Sequence, residues 1–164
     1  MFKTRLLPVL LLDGNNLVKG TQFANHKYIG DPINTINIFN EKNVDELIFL
    51  DISITRNKTE PNYSLIKDIA DEAFMPFCYG GGIKSVNQIE KILKIGVEKI
   101  LINSAAYLTP KLIKDASSIV GSQSIIVSID VRKRLFGGYD IYIKNGTFKI
   151  QNELVDYARK IEDL

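Results

Sequence analysis

The stretch Tyr79-Gly80-Gly81-Gly82-Ile83 follows the apolar run 74–78 and precedes a predicted helix that begins at Ser85. This order predicts a strand that ends in a turn made of backbone alone, which presents N–H groups with no side chains in the way. The N-terminus of the following helix would add positive potential, and the combination favours an anion, most often a phosphate. An isolated triple glycine is also consistent with a flexible turn, so the interpretation depends on the rest of the chain.

The same order of apolar strand, special turn and helix recurs along the sequence. We predict five strands, at 6–12, 46–51, 75–79, 98–102 and 124–129. Their apolar character predicts burial on both faces, as in a parallel sheet. Helix starts are predicted at Asp31-Pro32, Pro61, Thr109-Pro110 and the capping box formed by Ser85 and Gln88.

The remaining segments are predicted as loops, one hairpin and one helix. Residues 13–30 and 52–60 are polar and are expected to be loops. Asn145-Gly146 separates two β-prone segments, at 139–144 and 147–150, which is a strong hairpin signal. A last amphipathic helix carries Leu154, Ala158 and Ile161.

Strictly alternating strands and helices predict an α/β fold, either a doubly wound open sheet or a (β/α)8 barrel. In both architectures the chemistry lies at the carboxyl ends of the strands. The predicted strand ends carry polar or glycine residues where packing would favour Leu or Val: Asp51, Gly80, Gly81, Gly82, Asn103, Ser104 and Asp130. This coincidence predicts a functional site.

Composition and net charge limit the classes of protein to which this chain can belong. The 164 residues fit one domain, 1–164, and the formal net charge of +2 predicts neither a nucleic-acid surface nor a membrane surface. The single Cys78 excludes a disulfide framework and favours a reducing compartment such as the cytoplasm. We expect no metal, because His and Cys do not cluster at ligand spacing, and no nucleotide cofactor, because its glycine fingerprint is missing.

Eight short motifs spread over nearly the whole chain: Arg5-Leu6-Leu7-Pro8, Val18-Lys19-Gly20-Thr21-Gln22-Phe23, Gly30-Asp31-Pro32, Phe49-Leu50-Asp51, Tyr79-Gly80-Gly81-Gly82-Ile83, Ile102-Asn103-Ser104-Ala105-Ala106, Gly121-Ser122-Gln123 and Ile129-Asp130. Together they resemble the cyclase subunit family of imidazole glycerol phosphate synthase. The resemblance implies a (β/α)8 barrel, a lyase of histidine biosynthesis and a phosphorylated ribulosyl formimino substrate. It also implies a glutaminase partner that supplies ammonia through the barrel.

The resemblance also implies roles for individual residues. Gly82, Asn103 and Ser104 match phosphate-holding positions. We also place Gly81, next to Gly82, and the strand-end residue Asp51 among the substrate-binding or phosphate-binding residues. Lys19 lies in 19–23, which matches a mobile loop over the substrate, and Asp130 matches one of two catalytic aspartates. Arg5, Glu46 and Lys99 match charged residues around the ammonia entrance; an ordinary ion cluster that seals the barrel is the alternative for these three.

Two features depart from the family pattern. Leu11 stands where the family carries its other catalytic aspartate; Asp13 shares the side-chain direction of position 11 in an ideal strand but would lie further out. The chain also stops after the fifth unit, whereas a full barrel has eight strands and at least about 200 residues. We therefore expect an incomplete barrel, either truncated or completed by a second copy through its two open parallel edges.

The missing aspartate, together with the segments 27–34 and 77–80, makes the chain look more like a paralogous branch associated with surface-polysaccharide synthesis. Three hypotheses follow: a cyclase-type lyase subunit, an ammonia-conducting partner of an amidotransferase that serves sugar amidination, and an inactive fragment that keeps one phosphate site.

Overall fold

The computed structural model describes residues 4–164, and within them the chain forms two sheets and seven α-helices. The larger sheet contains, in chain order, β1 (Val9–Asp13), β2 (Asn16–Thr21), β3 (Ala24–Gly30), β4 (Leu47–Asp51), β5 (Phe77–Gly80), β6 (Lys99–Ile102) and β7 (Ile125–Val127). The smaller sheet contains β8 (Asp130–Lys133), β9 (Tyr139–Ile143) and β10 (Phe148–Ile150).

The helices are α1 (Pro32–Lys42), α2 (Ser53–Asn57), α3 (Tyr63–Glu72), α4 (Val86–Ile95), α5 (Ser104–Leu108), α6 (Lys111–Val120) and α7 (Leu154–Glu162). Two of the predicted caps are confirmed. The Asp31 side chain accepts a hydrogen bond from Asn34 N with Pro32 in the first turn, and Ser85 and Gln88 form the capping box.

The spatial order of the larger sheet is β3-β2-β1-β4-β5-β6-β7, and β1, β4, β5, β6 and β7 run parallel. The four long crossover helices form one row, because α1 packs on α3, α3 on α4 and α4 on α6. They cover the sheet face that carries Phe49, Tyr79 and Ile100. Helices on one face only are typical of a (β/α) barrel, whereas a doubly wound sheet has helices on both.

The expectation that 13–30 is a loop is wrong. Its two halves form the antiparallel hairpin β2–β3, and β2 pairs with β1 from Leu11↔Val18 to Asp13↔Asn16. The hairpin therefore occupies the edge of β1, so that edge is not an open parallel edge as the sequence suggested. Polar residues form strands here because the hairpin lies at the margin of the sheet, with most of β3 exposed to solvent.

Three smaller expectations also need correction. The segment 52–60 contains α2, and α3 begins one residue after Asn62, whose side chain caps it, rather than at Pro61. The fifth strand is shorter than expected, since 122–124 form a 3-10 helix and β7 ends at Val127. The hairpin around Asn145-Gly146 is confirmed, and β8 extends it to three strands over a small core of Ile141, Ile143, Ile150 and Tyr157.

Candidate functional site

The carboxyl ends of the parallel strands bring most of the predicted site residues to one rim of the sheet. Gly80 pairs with Leu101 across β5 and β6, so Gly82 and Asn103 both lie two residues beyond paired positions on neighbouring strands. Neighbouring strands are about 4.8 Å apart. The triple-glycine turn and the Asn103-Ser104 turn therefore lie side by side.

The triple-glycine turn needs glycine for two reasons. Gly81 and Gly82 have φ of 138° and 62°, which side chains rarely adopt. A Cβ on Gly81 would collide with the Asp51 backbone, and a Cβ on Gly82 with the Ile54 side chain. The turn is thus packed tightly against the segment that follows β4, and it is not a flexible connection.

Two backbone N–H groups of this turn are available. Gly81 directly follows the ladder pair of Gly80 and Leu101, and its N–H belongs to that parallel ladder; among residues 4–164, no backbone or side-chain acceptor takes a hydrogen bond from the N–H of Gly82 or Ile83. The start of α4, in contrast, is capped by its own residues: Gln88 Oε1 accepts from the N–H of Lys84 and Ser85. The N–H groups of Gly82 and Ile83 are therefore the donors open to an anion, while the helix N-terminus, which was expected to add positive potential at the same place, is partly occupied by its own cap.

Asn103 and Ser104 are held in place by protein contacts. Asn103 Nδ2 donates to the Ser128 carbonyl at 3.0 Å, and Ser104 Oγ donates to Asn103 Oδ1 at 3.1 Å. The backbone N–H of Lys144, at the tip of the β9–β10 hairpin, donates to Ser104 Oγ at 2.9 Å. Asn103 thus joins the ends of β6 and β7, and Ser104 joins the rim to the hairpin.

Asp130 begins β8, two residues after the carbonyl that Asn103 binds, and it pairs with Tyr142. Burial raises the pKa of its carboxyl above the ordinary range. A carboxyl whose pKa is raised by burial is better suited to proton transfer than an ordinary exposed carboxyl.

Asp51 lies at the end of β4 but does not face the rim. It shares the helix-covered face with Phe49 and Tyr79, and it is 5% exposed. Its Oδ1 accepts from Ser53 N at 2.9 Å and from Ser53 Oγ at 2.6 Å, while the Tyr79 hydroxyl lies 3.4 Å from Oδ2. Burial raises the pKa of Asp51, and the Ser53 hydrogen bonds oppose this effect. The sequence had placed Asp51 among the substrate-binding residues.

Lys19 is exposed in β2, opposite Lys27 in β3. The hairpin that carries it reaches the rim through its tip, since a Cβ on Gly146 would collide with the Phe23 ring. The Arg132 guanidinium lies 4.3 Å from the Tyr142 ring and donates to the Gly146 carbonyl. The β2–β3 and β9–β10 hairpins therefore meet at the rim.

Leu11 stands at the position where the resemblance implies a catalytic aspartate. Leu11 pairs with Leu50 in β4, on the sheet face opposite the helices. Asp13, which could have replaced the aspartate, forms an ion pair of 2.6 Å with Arg56. Its carboxylate is thus engaged at the outer end of β1.

Arg5, Glu46 and Lys99 meet at the opposite, amino end of the sheet. Glu46 is 1% exposed, and its oxygens lie 2.6 Å from Arg5 Nη2 and 2.8 Å from Lys99 Nζ. Cys78 Sγ donates to the same carboxylate at 3.0 Å. Burial raises the pKa of Glu46, but the hydrogen bonds from Cys78 and Lys99 outweigh it and hold that pKa below its usual value.

Sequence reasoning missed the residues that connect these elements, namely Ser53, Lys144 and Asn145. Asn145 Nδ2 donates to the Ile52 carbonyl at 3.2 Å, across the rim from Ser104. The sequence predicted the Asn-Gly turn but not its contact with Ile52, because a hairpin signal gives no information on what the turn will contact.

Two further properties hold for the described part of the chain. In residues 4–164, His, Cys, Asp and Glu side chains do not assemble in a group of three that could ligate a metal. None of the helices there has the length and apolar character to cross a membrane.

A family model described as histidine biosynthesis protein matches residues 5–164. The chain is 48% identical over 163 residues to a Pseudomonas aeruginosa protein with the provisional name imidazole glycerol phosphate synthase subunit hisF2. It is 38% identical over 165 residues to the imidazole glycerol phosphate synthase subunit HisF of Clostridium botulinum strain Okra. These alignments cover 99% and 100% of this chain but 65% of each relative.

Proposed function

Because the chain belongs to the histidine biosynthesis protein family, we propose that it supplies the phosphate-binding part of a cyclase-type subunit of imidazole glycerol phosphate synthase. The observation that carries the proposal is the triple-glycine turn, whose N–H groups at Gly82 and Ile83 have no acceptor within residues 4–164. Successive N–H groups in such a turn bind oxyanions. The adjoining Asn103 and Ser104 complete the wall of this site.

The substrate in this proposal is a phosphorylated ribulosyl formimino compound, which reacts with ammonia from a glutaminase subunit. Asp130 exchanges the proton as general acid and base, since burial raises the pKa of its carboxyl and it lies beside the ends of β6 and β7. Lys19 contacts the substrate from the β2–β3 hairpin when that hairpin closes on the rim. Arg5, Glu46 and Lys99 surround the point where ammonia enters.

Turnover tests the proposal. The purified chain is mixed with ammonium and the ribulosyl formimino substrate, and substrate consumption is measured for the wild type and for Asp130→Asn. The proposal expects consumption that Asp130→Asn abolishes. Turnover that is unchanged by the substitution would remove Asp130 from its role, and a wild type that neither consumes nor binds the substrate would contradict the proposal.

Leu11 favours a second candidate function. With Leu at this position and Asp13 paired with Arg56, the rim offers Asp130 without a second free carboxylate on β1. The chain would then conduct ammonia for a glutaminase without cyclising a substrate, as in sugar amidination for surface polysaccharides. This candidate expects glutamine hydrolysis to rise when the chain is added to a glutaminase subunit while the ribulosyl substrate is not consumed. A chain that neither binds nor stimulates a glutaminase would exclude it.

A further inference from the structure

The turn that follows β4 is built around one buried carboxylate. Asp51 Oδ1 accepts two hydrogen bonds from Ser53, through its backbone N–H and its hydroxyl, and the Ile54 N–H faces the same carboxylate. Asp51, Ser53 and Ile54 are all buried. Two hydrogen bonds from Ser53 to one buried oxygen fix the path of the chain from 51 to 54, since a buried polar group that loses its partner costs free energy.

This turn supports the triple-glycine turn directly. The backbone of Asp51 lies where a Cβ of Gly81 would be, and the Ile54 side chain lies where a Cβ of Gly82 would be. Contacts this close leave the glycines no room to move toward the 51–54 turn. The positions of the Gly81 and Gly82 N–H groups therefore depend on where the 51–54 turn lies.

The same turn also holds the hairpin that reaches Ser104. The Ile52 carbonyl accepts from Asn145 Nδ2 at 3.2 Å, and the preceding residue, Lys144, donates its N–H to Ser104 Oγ. The 51–54 turn thus contacts both parts of the rim: the glycine turn by packing, and Ser104 through the hairpin tip.

We propose that Asp51 is a positioning residue, which acts through Ser53 to hold the triple-glycine turn and the β9–β10 hairpin tip in register around the anion site. The part that concerns the anion rests on the proposed function, whereas the part that concerns the hairpin does not. Asp51 has no contact with the anion in this account. An amide in place of the carboxylate can still accept both Ser53 hydrogen bonds, so Asp51→Asn should keep the register that Asp51→Ala loses.

Hydrogen exchange of the Lys144 amide tests the hairpin part without any anion. We expect exchange at least about tenfold faster in Asp51→Ala than in the wild type, and near the wild-type rate in Asp51→Asn. The Ile92 amide, in the core helix α4, reports global opening, and exchange at Lys144 is compared with it in each variant. Asp71→Ala is the matched control, because it removes an exposed carboxylate that pairs with Lys67 on the surface of α3.

The affinity for sulfate tests the part of the proposal that concerns the anion site. It is measured in the same variants, at a temperature where all are folded. Sulfate does not change its charge near neutral pH, so the titration reports only the protein. We expect affinity at least about fivefold weaker in Asp51→Ala, with Asp51→Asn and Asp71→Ala within about twofold of the wild type. Exchange at Lys144 that Asp51→Ala leaves unchanged would overturn the inference. A wild type that does not bind sulfate would instead contradict the proposed function.

Discussion

Replacing Gly82 by alanine tests the tight packing of the triple-glycine turn, and Gly14 provides a matched control. The two glycines have nearly the same backbone angle, with φ of 62° and 64°. A Cβ on Gly14 would meet nothing within 4 Å, whereas a Cβ on Gly82 would collide with the Ile54 side chain. The difference between the two substitutions therefore isolates the collision from the backbone strain.

The magnitudes follow from these two terms. Left-handed backbone at a residue with a Cβ costs about 1–2 kcal/mol, which is the whole expected effect of Gly14→Ala. Overpacking adds about 1–3 kcal/mol, so Gly82→Ala should lower the free energy of unfolding by about 2–5 kcal/mol. Urea unfolding followed by circular dichroism measures both. Losses that agree within about 0.5 kcal/mol, the usual limit for additive effects, would refute the packing argument.

Three further predictions concern other parts of the molecule. Glu46→Gln should lower the free energy of unfolding at pH 7 by about 1–3 kcal/mol, less than for a fully buried pair because Lys99 is 24% exposed. Because the pKa of Glu46 is lower in the folded chain, its carboxylate stabilises the fold above the unfolded pKa near 4.3, and this stabilisation is lost as pH falls through the folded pKa. Glu46→Gln should therefore weaken the loss of stability at acidic pH. An unchanged dependence of stability on pH would contradict the ion pairing of Glu46. Burial and the neighbouring Glu46 raise the pKa of the Cys78 thiol to about 12. Cys78 should therefore resist a thiol reagent at pH 8 until urea unfolds the chain, and rapid labelling of the folded chain would contradict this. Ser85→Ala should lower stability by about 1 kcal/mol in the same urea assay, as loss of a capping hydroxyl does, and no measurable loss would show that Gln88 caps α4 alone.

The sequence predicted well the features that depend on local patterns. The parallel strands β4, β5 and β6 fall on the predicted apolar segments, and the caps at Asp31 and Ser85 use side chains that bond within a few residues. The first strand was predicted less well, because it begins at Val9 and leaves Leu6 and Leu7 exposed. The order of the parallel strands also follows, because crossover connections of this length place successive strands side by side.

The β2–β3 hairpin could not be predicted in the same way. Its turn has positive φ at Gln22 and Phe23, where sequence rules expect Gly, Asn or Asp, and its strands do not alternate apolar and polar residues. Pairing with β1 also supports this hairpin, and β1 and β2 are joined by the two-residue turn Gly14-Asn15, a Gly-Asn hairpin signal that the interpretation of 13–30 as a polar loop overlooked.

The site shows the same division between local and distant effects. Sequence patterns located the strand ends but not the direction of Asp51, whose carboxylate faces Ser53 and Tyr79 rather than the rim. They also gave no indication that Lys144 would bind Ser104 over a separation of 40 residues. Contacts of this kind depend on how the smaller sheet docks on the larger one, which local sequence patterns do not encode.

In the proposed function the N–H groups of the triple-glycine turn bind an oxyanion, and titration of the isotope-labelled chain with sulfate, followed by amide resonances, measures this binding residue by residue. We expect the largest chemical-shift changes at Gly82 and Ile83, and we expect the two to saturate together. Changes confined to the lysines of the β2–β3 hairpin, or no change at Gly82 and Ile83, would contradict the proposed function.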